Sequence, residues 1–210
     1  MIFKIFFSAI ISATLTFFGS KWINFLYKMP TAPLSFPEEI SSRSKFRKYF
    51  LAIIFFICTI ILSDLPPQNF FYLMAEIFFL SLITCTDFEQ YVIFDKMLLP
   101  FAILEIFFAV SLNFELQSKI ITGIFCGGIF LLIAIFTGGI GGGDIKLVTI
   151  LGFLFGAEKI LNVLAISCIF GGISAAILIF AKKKDRKDFF AYGPYFALTA
   201  IFFICRDYIL

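Results

Sequence analysis

The chain has 210 residues, of which 61% are hydrophobic and 15% charged, with a formal net charge of +3. Soluble domains carry about 45–50% apolar and about 25% charged residues, whereas the mean hydropathy here is +1.03. A soluble globular enzyme and a disordered chain are thereby excluded, and the composition predicts an all-α fold, a polytopic membrane helix bundle with little room for an extramembrane domain.

Apolar runs of roughly 20 residues span a bilayer. The first run, from Met1 to about Tyr27, has no small-residue cleavage site before the polar stretch after it, and is read as a retained helix rather than a signal peptide. Residues 28–48 form a short polar loop containing Pro30, Pro33 and Pro37 and ending in Arg43, Lys45, Arg47 and Lys48. Further helices are predicted at about 49–63, 70–86, 97–112, 119–137, 145–157, 160–181 and 189–205, about eight crossings in all, with the sixth short. The breaks between them include a polar turn from Asp64 to Asn69, the glycine-rich stretch 138–143, and a charged run from Lys182 to Asp188.

Alternating crossings put loops 20–48, 87–96, 138–146 and 182–188 on one side. These hold thirteen of the seventeen basic residues; only Lys4, Lys119, Lys159 and Arg206 fall on the other side. The positive-inside rule makes the first group cytoplasmic and predicts both termini on the non-cytoplasmic side of a plasma (inner) membrane. With seven crossings the lysine cluster would fall outside. The 33 Phe residues read as lipid-facing bulk. The run 182–187 reads as a topology anchor and not as a nucleic-acid site, since no nucleic-acid-binding module accompanies it.

The chain has no His, which removes Ser-His and Cys-His catalysis, His-ligated zinc proteolysis and His-based proton relays. Cys58, Cys85, Cys126, Cys168 and Cys205 lie in or beside apolar runs without any C-x-x-C spacing, and read as small packing residues. No cofactor and no metal are expected.

Acids within or at the edge of membrane spans are costly and are functional candidates. Glu76 and Glu105 fall inside spans, where a buried hydrogen bond or a protonated side chain is the simpler account. Asp87 closes the third span and Asp144 opens the sixth, directly after Gly141, Gly142 and Gly143. The topology puts both at the cytoplasmic boundary. Two carboxyls converging at one depth in a low dielectric would share a proton, giving one acid and one base. Such a pair activates water and protonates a leaving amine. Glycines before Asp144 let backbone approach a substrate closely, and Asp144 at a helix N-terminus is favoured as an anion. A transporter or ion-conducting protein is the rival class, because Gly-broken helices and intramembrane acids also mark transport sites; no internal repeat supports it.

These residues resemble the prepilin peptidases, the type IV leader peptidase family. Gly141-Gly142-Gly143-Asp144 fits the G-x-G-D signature of membrane aspartic peptidases, and Asp144, Lys146 and Leu147 fit the fuller run. Asp87, with Asp95 eight residues on and then Leu99-Pro100, matches the family's first aspartate region, with Phe94 standing where Pro is usual. Gly193-Pro194-Tyr195 near the C-terminus and, more loosely, Gly19-Ser20, Asn24, Tyr27-Lys28 and Pro30 also resemble family segments.

The resemblance implies a single transmembrane peptidase domain over 1–210. Asp87 and Asp144 would be catalytic, Gly141, Gly142, Gly143 and Lys146 substrate-binding, and Asp95 structural. The substrates implied are prepilin-like proteins of pilus or secretion systems. Each would be cut after a short basic leader at the cytoplasmic membrane face, with the lipid bilayer as the other partner. Loop 28–48 holds no Cys where many bacterial members carry two C-x-x-C pairs. That puts zinc and N-methylation in doubt and leaves the peptidase activity as the carry-over.

Overall fold

The computed structural model describes residues 2–111, 115–181 and 190–208. Among the described residues eight α-helices follow one another: α1 (Ile2–Tyr27), α2 (Ile40–Arg43), α3 (Arg47–Leu62), α4 (Pro67–Gln90), α5 (Asp95–Ser111), α6 (Leu116–Thr137), α7 (Gly142–Phe180) and α8 (Gly193–Arg206). A 3-10 turn at Pro37–Glu39 precedes α2, and no strand occurs among the described residues. By length and composition α1, α4, α6 and α7 are each able to cross a membrane. The lysine cluster that anchors the predicted topology lies outside the described residues.

The chain divides into two compact units, Met1–Val92 with Ile201–Leu210, and Ile93–Ala200. In the first unit α1, α3 and α4 pack together. Phe78 of α4 stacks on Phe55 of α3 and on Trp22 of α1, with ring centroids 6.0 and 6.1 Å apart. Gly19 lets α4 in: a Cβ there would stand 2.7 Å from a Leu82 methyl. Ile23, Leu26, Leu51, Phe55, Leu62 and Leu82 are fully buried among them. Near the end of α8, the Cys205 thiol lies 3.7 Å from that of Cys58.

In the second unit α6 and α7 form the most extensive pair, with α5 against both. Their contact is backbone on backbone. A Cβ on Gly152 would lie 2.9 Å from the Gly123 Cα and 3.1 Å from the Thr122 carbonyl oxygen. Small residues at such a crossing let dispersion contacts form along the backbones themselves, which is what holds apolar helices together where lipid is as apolar as Leu.

The predicted sixth and seventh helices are the two halves of α7, which meet at a kink at a single residue. Gly156 has φ 63° and ψ −177°, a backbone conformation closed to residues with a side chain. The exposed Ala157 and Glu158 follow it. A loop is therefore unnecessary, because one glycine makes the turn. The first half, residues 142–155, is about 21 Å long at about 1.5 Å per residue.

Gly152→Ala is expected to force α6 and α7 apart and lower stability by roughly 1–3 kcal/mol. Gly172→Ala, where a Cβ meets nothing within 4 Å, is expected to be neutral or slightly stabilising through helix propensity. Thermal unfolding of the two variants in detergent micelles separates these outcomes.

Candidate active site

Asp87 sits in the last turn of α4 and is 5% exposed. The helix stops three residues later because Tyr91 takes a left-handed conformation, φ 53°, and its N–H donates to the Asp87 carbonyl at 2.9 Å. A left-handed cap closes many helices, usually with Gly; a tyrosine there costs about 1–2 kcal/mol. Its ring contacts offset this. Tyr91 meets the Phe36 ring edge-on at 5.2 Å, and the Arg43 guanidinium lies over both rings.

The loop after α1 is folded against this end of α4. The Gln90 side chain accepts from the Phe36 N–H at 2.8 Å and donates to the Phe36 carbonyl at 3.0 Å, while the Ser35 N–H donates to the Gln90 carbonyl. Beneath the loop lies a buried polar cluster. Arg47 grips Glu89 with its Nε, 2.8 Å from Oε1, and its Nη2, bonded to Oε2. Tyr27 donates its hydroxyl to Glu89 Oε2 at 3.0 Å, and Arg47 Nη1 donates to Asn24 Oδ1 at 2.6 Å. The Arg47 and Glu89 side chains are 3% and 4% exposed.

Sequence reasoning missed this cluster. Arg47 counted there only as a cation that sets topology, and Glu89 received no role. The available signal was four polar residues, Asn24, Tyr27, Arg47 and Glu89, at the apolar edges of three helices.

Asp144 belongs to the second unit. Gly141 caps α7 in an extended conformation, and its carbonyl accepts from the Asp144 N–H at 3.1 Å. A Cβ on Gly141 would press on Asp144 Oδ2 at 3.3 Å. The other oxygen, Oδ1, has no hydrogen-bond partner among the described residues. Half-buried, Asp144 lines a cavity of about 290 Å³ with Phe130, Ile133, Ile140, Cys168, Tyr192 and Phe196. A carboxyl on an apolar wall suits a polar bond flanked by an apolar group.

The other predicted residues differ in their surroundings. Gly143 packs on Ile93, where a Cβ would come within 2.9 Å of the Ile93 Cβ, whereas Gly142 faces open space. Lys146 Nζ donates to Asp95 Oδ1 at 2.6 Å in an exposed pair. The pair joins the start of α5 to the start of α7, and the cation is turned toward Asp95. Glu76 is fully buried in α4. Glu105, 1% exposed, lines a separate apolar cavity of about 190 Å³ between α5, α6 and α7. No group of three or more His, Cys, Asp or Glu able to hold a metal occurs among the described residues.

The described architecture is that of a helical membrane protein with acids placed at helix ends. Its place among known proteins is then set by comparison. Residues 74–176 match the model of the type IV leader peptidase family, which shows the resemblance seen in the motifs over α4 to α7, with Asp87, Asp95, Asp144 and Lys146 inside the match. A prepilin leader peptidase/N-methyltransferase of Xanthomonas campestris pv. campestris is 38% identical over 71 residues, 33% of this chain and 25% of the relative. The chain thus spans a quarter of the length of that curated relative in the match. No solved structure matches.

Breaking the buried pair by Arg47→Ala strands Glu89 and is expected to cost roughly 3–5 kcal/mol. Lys146→Ala removes an exposed pair and is expected to cost under about 1 kcal/mol. Denaturant unfolding in micelles, with helicity as the signal, tests the contrast.

Proposed function

We propose that this protein is a membrane aspartic endopeptidase that removes the short basic leader from prepilin-like substrates at the cytoplasmic face of the inner membrane. The observation that carries the reading is Asp144: a half-buried carboxyl in the first turn of α7, after three glycines, on the wall of an apolar cavity. The family match over 74–176 supports it.

In this mechanism Asp87 and Asp144 hold one proton between them. The ionised carboxylate takes a proton from water as its oxygen attacks the scissile carbonyl carbon. The protonated partner gives its proton to the leaving nitrogen when the C–N bond breaks. A coupled pair titrates as a unit, so acid and base are roles of the pair and not of either residue. Gly142, open to its surroundings, gives substrate backbone a place to approach, and the aromatic cavity takes an apolar residue beside the cut bond. Lys146 acts through its pair with Asp95, which fixes the start of α7.

One peptidase domain over 1–210 with both termini outside the cytoplasm completes the proposal. N-methylation is not included, because loop 28–48 has no cysteine.

The test is leader cleavage of a prepilin-type substrate in membranes. Asp87→Asn and Asp144→Asn keep size and polarity but cannot cycle a proton, and each is expected to lower the rate by about 10²–10⁴-fold at unchanged protein level. A metal chelator is expected to leave the wild-type rate unchanged. Cleavage surviving either substitution would sink the dyad, and no cleavage by wild type would favour the transport reading.

A further inference from the structure

We infer that Arg47 and Glu89 are positioning residues for Asp87: their buried pair sets the rotation and height of the α4 turn that carries the carboxyl. The inference rests on the catalytic role proposed for Asp87.

The pair ties three helices at one level. Asn24 and Tyr27 come from α1, Arg47 from α3 and Glu89 from α4. Both Glu89 oxygens are engaged by the guanidinium fork, and the Tyr27 hydroxyl adds a further bond to Oε2. The Tyr27 ring lies 5.2 Å from the Arg47 guanidinium carbon. A bidentate pair of this kind fixes orientation as well as distance.

Stability alone is a poor reason for it. Well-packed apolar residues in place of a buried ion pair are often neutral or stabilising, and the best-attested gain from a buried polar group is register. Register is what this helix needs. Phe78, Leu82 and Glu89 share the α4 face turned to α1 and α3, where Phe78 stacks on Trp22 and Phe55 and Leu82 fits over Gly19. Asp87 stands two residues before Glu89, about 200° around the helix. Apolar rings and methyls tolerate small rotations and slides. The fork on Glu89 does not, and by holding one side of the turn it aims the opposite side, where Asp87 projects. Gln90, clasped by the Phe36 backbone, stops the same turn from unwinding. A catalytic group misplaced by about 1 Å loses about 10²-fold in rate, so the anchor matters more for turnover than for folding.

The experiment compares wild type, Asp87→Asn, the double variant Arg47→Met with Glu89→Leu, and the single variant Glu89→Gln. It measures kcat and KM for leader cleavage of a prepilin-type substrate, and thermal unfolding in the same detergent. The double variant is expected to unfold within a few degrees of wild type, with kcat lower by about 10–100-fold and KM within about twofold. A purely structural pair would leave kcat unchanged in any variant that folds. Wild-type kcat in the folded double variant therefore overturns the inference. Should the double variant not fold, Glu89→Gln, which keeps the shape and loses the charge, decides by the same kcat and KM criterion. Cleavage lost in Asp87→Asn but kept in the double variant defeats the positioning role and leaves the proposed function standing. No cleavage by wild type, or full cleavage by Asp87→Asn, defeats the proposed function and this inference with it.

Discussion

A chain this apolar must satisfy its backbone hydrogen bonds inside its own helices, because hydrocarbon offers no partners. Every place where a helix ends is therefore constrained. At the close of α4 the Tyr91 and Ser35 N–H groups and the Arg43 guanidinium donate to the carbonyls of Asp87, Gln90 and Phe88. Between α6 and α7, Gly138 caps one helix in the left-handed region and Gly141 opens the next in an extended one. Asp87 and Asp144 stand within a turn of these two ends.

The helical fold was legible because the signal is strong: long apolar runs broken by charges, prolines and glycines. The positions of Asp87 and Asp144 on their helices were legible for the same reason, since each falls at a boundary between an apolar run and a polar or glycine-rich one. The break in α7 was visible as a boundary near residue 157, but not as one residue in a left-handed conformation. The polarity of Glu158 and Lys159 suggests a loop, and only the backbone shows that Gly156 turns alone.

The Arg47–Glu89 pair was illegible for a different reason. Forty-two residues separate its members, and no periodicity links residues on different helices. Arg47 was also one cation among several in a basic stretch, and composition gives the same reading to a snorkelling lysine and a buried arginine. The loop 28–48 likewise read only as a short polar loop. Its fold depends on Phe36 reaching the Gln90 side chain, a long-range match that local turn chemistry does not encode. The glycines show a related limit: Gly141, Gly142 and Gly143 are alike in sequence, yet one borders a carboxylate, one faces open space and one packs on Ile93.

Gly156 also bears on how much of a bilayer each half of α7 can cross. A helix needs about 20 apolar residues to span a bilayer, and the first half of α7 has about 14 residues before the break. Alone it falls short. Its partner is α6, against which Gly152 and Gly123 meet without a side chain between them. In the fold this half is one arm of a hairpin, with α6 as the long arm. Asp144 stands beside the turn of that hairpin, at the start of the short arm, and Gly156 closes the other end.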